Sequence, residues 1–312
     1  MIWPLSIPLA IFGIHDPQWN AVAVAAITAI ATTLLTTFIK ERARLGTETL
    51  LHRRKADANY EYEQRKKLRD KIGEYRGQLV EAATDFNYRL ANLDTNVQEG
   101  WLNKDGMYRQ GLGGDYYFRT TVYRFAVLTS VANRFERDAL HIDERIAEPT
   151  DMSFLLYVKA FRWVVTDAAL FRGLDYDATE PTDHFYTDRL REMCVAMYAE
   201  SGELRFSEFE DKIPSHTFGD ALRFFDGLAP GTLRWDRIIA FRLLLLAFIN
   251  TFGYEMQRSD VAHFDQVAKG IEHPEIATNL IDWIAKLGLE SDAEAGKVRA
   301  ALSRRLNQPV HS

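Results

Sequence analysis

The chain has 312 residues, 47% apolar and 26% charged, with 18 Gly and 9 Pro. This excludes a disordered, collagen-like or proline-rich protein and leaves room for one large or two modest domains. A single cysteine, Cys194, excludes an intramolecular disulfide and a cysteine zinc site, and places the bulk of the chain in a reducing compartment. The net charge of -6 and mean hydropathy of -0.24 describe a soluble average that hides two local departures.

Residues 1–18 contain no Lys or Arg, and their apolar start (MIWPLSIPLAIFGI) is too short to cross a bilayer and broken by Pro4 and Pro8. They are predicted to lie in the outer interface, anchored by Trp3 and Trp19. From Trp19 to Ile39 the chain carries no charge. As a helix this stretch spans roughly 31 Å, matching a hydrocarbon core about 30 Å thick, and predicts a transmembrane helix over residues 19–39. The rivals are a buried alanine-rich core helix and a cleaved signal peptide, which would need a basic leader that is absent here. Lys40, Arg42, Arg44, Arg53, Arg54 and Lys55 follow at once, an asymmetry that predicts a single-pass protein of the cell membrane, N-terminus outside and bulk cytoplasmic.

Within the span, Ala21, Ala25, Ala29, Thr33 and Thr37 form one i+4 row with Thr28, Thr32 and Thr36 beside it. Val24, Ile27, Ile30, Leu34, Leu35 and Phe38 take the other side. Small and hydroxylic residues favour helix contacts in lipid, so this face predicts a homo-oligomer, or less readily a pore lining. The competing view is that each Thr bonds its own i-4 carbonyl.

Residues 40–98 read as a basic juxtamembrane stalk and a long amphipathic helix. Residues 40–71 hold 11 basic and 6 acidic side chains, net +5, against 27 basic and 37 acidic, net -10, in residues 72–312. Such a collar attracts anionic lipid, while the acidic remainder disfavours nucleic acid. The stripe Leu68, Ile72, Tyr75, Leu79, Ala82 or Ala83, Phe86, Leu90, Leu93 and Val97 fits a coiled-coil seam between protomers or the first helix of a core. Ala82 and Phe86 favour the core.

Residues 99–115 are a glycine-rich loop, and residues 116–312 a cytoplasmic all-α bundle. Helices are predicted over 116–146, 151–171, 184–200, 232–256, 260–269, 274–287 and 292–306. Ser207 with Glu210 and Ser291 with Glu294 show capping-box spacing. The run at 238–252 is too short for a second crossing and carries Arg242, so it reads as a buried core helix. Arg242 then needs a carboxylate, with Asp167 and Asp138 as candidates.

No metal or cofactor is implied. The glycines at 111, 113 and 114 lack the Lys-Ser/Thr of a P-loop, and the acidic run from Asp175 has Glu180 and Tyr186 where a calcium loop needs Gly and Glu. Arg134 to His141 and Arg258 to His263 show the Arg-x4–6-His spacing of HEPN ribonucleases, which the chain resembles over those few residues. Two further instances, from Arg304 and Arg305 to His311, lie in the tail, and about two such spacings arise by accident in this composition. Two functions follow. The favoured one is a membrane-anchored, self-associating protein whose cytoplasmic domain binds a partner protein or senses a signal. The alternative is a membrane-tethered all-α enzyme, of HEPN-like ribonuclease type, using Arg258 and His263 or Arg134 and His141.

Overall fold

The structure, a computed structural model, describes residues 17–110, 115–140, 147–179, 183–199, 202–213 and 215–307. Most of the expected outer segment, loop residues 111–114, His141 and His311 lie outside the described residues.

The described residues are almost entirely helical: α1 (Pro17–Thr95), α2 (Tyr116–Ala139), α3 (Pro149–Thr166), α4 (Thr187–Ala196), α5 (Phe206–Lys212), α6 (Gly219–Phe225), α7 (Leu233–Phe252), α8 (Val261–Ala268), α9 (Pro274–Lys286) and α10 (Ala293–Leu306). Proline stands at α1's first position and nowhere else in it, which lets the helix run long. The chain divides into two units, residues 1–63 and 64–312, with α1 contributing to both. The division falls within the stretch read as stalk and amphipathic helix.

In the first unit every described residue belongs to α1, and each described side chain from Ala21 to Glu63 is exposed.

The second unit is built around α7, whose residues are buried from Trp235 to Asn250. A helix apolar all round belongs inside a bundle, as predicted for 238–252. It packs against α3, α8, α9 and α10, while α2 packs on α3, α4 and α6. Residues 64–95 of α1 bury Leu68, Tyr75, Leu79, Ala83, Phe86, Leu90 and Leu93 in this core. The Phe86 ring lies 5.8 Å from both Phe125 and Phe241 and 6.4 Å from Phe225. The stripe thus packs into the core of its own chain, with Ile72 and Val97 partly buried, which is the core alternative; nothing among the described residues supports the coiled-coil seam.

Helix ends follow from capping chemistry. Thr232 accepts from Trp235 N–H at 3.2 Å and Asp260 from His263 N–H at 2.9 Å, while Pro149 and Pro274 open α3 and α9. Both proposed capping boxes shift. Ser207 lies inside α5, where Glu208 instead accepts from Arg205 N–H at 2.8 Å. Asp292, not Ser291, caps α10, accepting from Glu294 and Ala295 N–H at 3.0 Å each, because a carboxylate reaches two donors at once.

The helix expected over 184–200 is shorter. His184, in a bend, and Phe185 precede it outside the helix, Phe185 N–H donating to Val165 O at 2.9 Å. After Met197 a two-residue ladder forms, with β1 (Tyr198–Ala199) antiparallel to β2 (Gly202–Glu203). The helix expected to reach Phe171 stops at Thr166, where Asp167 turns extended and caps a 3-10 turn, Ala168–Phe171, through Ala169 N–H.

Candidate functional site

The span comes first, because its environment is the least satisfied in water. Among the described residues, α1 is the one helix with a stretch long and apolar enough to cross a membrane, and none of that stretch is buried. Val22, Val24, Ile27, Ile30, Leu34, Leu35, Phe38 and Ile39 are all about half exposed or more. Covering eight such side chains is worth on the order of 10 kcal/mol. By length and composition the segment is a candidate membrane span.

Its threonines are already satisfied. Thr28, Thr32, Thr33, Thr36 and Thr37 each donate the Oγ1 proton to the carbonyl four residues back, at 2.7–2.8 Å. A hydroxyl bonded in this way faces lipid at little cost. These threonines keep acceptor capacity for another helix but no free donor, so any contact on this face rests chiefly on close packing at Ala21, Ala25 and Ala29.

Below the span, Lys40, Arg42, Arg44, Arg53, Arg54 and Lys55 are all exposed. Arg44 meets Glu41 at 3.1 Å and Glu48 at 3.5 Å, and the Arg42 guanidinium stands 5.5 Å from the Phe38 ring. Arg53, Arg54 and Lys55 have no carboxylate at ion-pair distance among the described residues.

Of the arginine–histidine spacings, the pair Arg258 and His263 lies wholly within the described residues, and its members stand in different local settings. Arg258 is exposed, in extended chain after the turn Glu255–Gln257, whereas His263 sits in the first turn of α8 with Nε2 enclosed and unpartnered. Burial first, then Arg242, holds His263 toward its neutral form; Asp260 opposes them. The cation acting on His263 is thus Arg242 rather than Arg258. Arg134 lies over the Tyr198 ring at 4.3 Å and 5.8 Å from the Tyr75 ring.

Arg242 finds its carboxylate on α1. Nη1 donates to Asp94 at 2.8 Å and Nε to Asn87 at 3.4 Å. Neither expected partner serves. Asp138 accepts from Tyr75 Oη at 2.7 Å, and Asp167 caps its own turn and accepts from Trp283 Nε1 at 3.2 Å.

Two charges were not singled out from the sequence. Asp236 is fully buried and accepts from the Glu272 and His273 N–H groups, at 3.1 and 2.8 Å, and meets His273 Nδ1 at 2.8 Å. Arg237, also fully buried, donates to Val164 O at 2.6 Å and Asp167 O at 3.0 Å and lies 4.2 Å from the Phe171 ring. Burial pulls its pKa down to about 10. Beside it, Tyr176 Oη bonds His184 Nδ1, and burial, then Arg237, pushes His184 below its usual value. The available signal was an Asp-Arg pair entering an apolar helical run.

These groups are held by helix ends and by one another. Cys194 is buried, its thiol pushed up to about 11 by burial, so it is no ready nucleophile. Asp177 turns its carboxylate onto the N–H and Oγ1 of Thr179. Among the described residues no three His, Cys, Asp or Glu side chains gather to hold a metal ion. Among the described residues a groove of about 760 Å³ runs along α1 near Gly73 and Gly77. Comparison with protein families, curated proteins and solved structures finds no match to this chain.

Proposed function

We propose that the protein is a single-pass, self-associating membrane protein whose residues 40–312 lie in the cytoplasm, where the helical bundle binds a partner protein or conveys a signal. The observation that carries this reading is an apolar segment whose described side chains, from Ala21 to Ile39, are all exposed, followed by exposed basic side chains of which Arg53, Arg54 and Lys55 make no ion pair among the described residues. Exposed apolar surface of that extent demands cover, and cations on one flank favour the side of the anionic cytoplasmic leaflet. Lys40, Arg42, Arg44, Arg53, Arg54 and Lys55 then contact lipid headgroups. Self-association uses Ala21, Ala25 and Ala29, with Thr28, Thr32, Thr33, Thr36 and Thr37 packed alongside.

Thiol labelling in intact cells tests the topology, because the one native cysteine is buried. A cysteine at Ser6 should react with an impermeant reagent and one at Thr95 should not. Labelling at Thr95 would overturn the orientation.

A further inference from the structure

We propose that the groove along residues 73–85 of α1 is the docking site for a basic amphipathic helix of a partner protein. This rests on the partner-binding reading above and names the surface and the chemistry it selects.

Gly73 and Gly77 stand one turn apart, and a Cβ built at either meets nothing within 4 Å. The helix backbone is therefore bare there. Val80 and Phe252 are the groove's buried apolar residues, and Tyr254, 75% exposed, also lines it. Met256, two residues on, is 90% exposed. A soluble surface seldom leaves Tyr and Met so open beside a hollow unless something covers them. A helix laid on glycines approaches closely, and apolar residues at i, i+3 and i+4 reach such a floor.

Charge selects the occupant. Glu81 and Asp85, one turn apart, line both this groove and a neighbouring hollow of about 270 Å³ that also holds Glu203. Both are exposed, and neither has an ion pair among the described residues. Burial, then Glu81, holds Glu203 above the usual carboxylate range, with Arg134 opposing, and the hollow's cation, Arg124, donates Nη1 to Asp85 O at 3.0 Å. The groove's cation, Arg76, is tied to the end of α7, donating to Phe252 O through Nε at 3.0 Å and Nη2 at 2.7 Å, and keeps its charge there. The groove lining thus carries two exposed carboxylates, Glu81 and Asp85, against one guanidinium, an acidic excess that favours Lys or Arg on the incoming helix. A second copy seated through the same groove would set Glu81 and Asp85 against their own symmetry mates, which like-charge repulsion disfavours.

The test uses the full chain in neutral phosphatidylcholine nanodiscs, so that lipid does not attract the probe. Fluorescence anisotropy follows a labelled Leu/Lys peptide of helical period, with a Leu/Glu peptide of the same length as control. The Leu/Lys peptide should bind and the Leu/Glu peptide should not. Gly77→Leu, which fills the groove at a position where Leu favours the helix, and the pair Glu81→Lys with Asp85→Lys should each weaken binding at least about tenfold. Equal binding of both peptides, binding unmoved by either variant, or no binding at about 1 mM would overturn the proposal. So would a wild-type self-association that Gly77→Leu abolishes, since the occupant would then be a second copy. The membrane reading fails separately, by a chain that does not enter nanodiscs or float with vesicles.

Discussion

Asp236 and Arg237 are neighbours in sequence and serve opposite poles of two different helices. The Asp236 carboxylate accepts from the His273 and Glu272 N–H groups at the start of α9, and the Arg237 guanidinium donates to the Val164 and Asp167 carbonyls at the end of α3. A carboxylate suits the positive end of a helix and a guanidinium the negative end. Buried together in α7, the two fix where α3 stops and α9 begins.

Removing either charge should leave several buried backbone groups without partners. Asp236→Ala and Arg237→Ala should each destabilise the bundle by about 3–5 kcal/mol. Asp236→Asn should cost less, because its amide oxygen still accepts. Tryptophan fluorescence during urea unfolding of the detergent-solubilised chain reads this directly, since Trp235 and Trp283 lie in the bundle. An Asp236→Ala protein as stable as wild type would remove the pole-capping role.

The pair Arg242 and Asp94 is asymmetric: the arginine side chain is 5% exposed and the aspartate 39%. Removing the outer partner strands a buried cation, whereas replacing the inner one by an apolar chain frees a carboxylate to solvent. Asp94→Ala should therefore destabilise more than Arg242→Met, by about 1–3 kcal/mol. The reverse order in thermal melts would mean that the pair itself, and not the buried cation, dominates.

Acid should loosen the bundle at its histidines. Burial and a nearby arginine lower the pKa of both His184 and His263. The unfolded chain then binds more protons than the fold below the ordinary histidine pKa of about 6.5. The contribution is thus intact above that pH and declines as pH falls from there through the depressed folded values. His184→Gln with His263→Gln should flatten the fall in melting temperature between about pH 6.5 and 5. An unchanged slope would assign the acid sensitivity to carboxylates.

In the span, Ala25→Leu with Ala29→Leu should weaken the oligomer, whereas Ile27→Leu with Ile30→Leu should not. Bulk on the alanine row would block the approach of backbones, while on the proposed reading the isoleucines would face lipid in either state. Because every threonine donor on that face is spent on its own helix, Thr32→Val with Thr36→Val should change the oligomer mass in detergent little. A large loss there would mean that the hydroxyls switch partners on association.

The all-α class, the apolar stretch and the greasy core helix were legible in the sequence, because they are set by local spacing. Three-and-four periodicity from Leu68 to Leu93 needs no knowledge of the partner to declare a helix. The charge step at Lys40 is likewise a property of the chain in order. What the sequence left open was every pairing across the fold. Arg242 chose Asp94 because α1 and α7 meet there, a relation between residues 148 positions apart. The stripe on α1 could serve a seam or a core until the tertiary contacts of Phe86 placed it inside. Arg258 and His263 share a family's spacing, yet a turn and a helix start separate their environments. The open groove at Gly73 and Gly77 is also tertiary, since two glycines in a helix mean nothing until Phe252 and Tyr254 are brought beside them. Periodicity is written residue by residue; partnership is decided by which helix faces which.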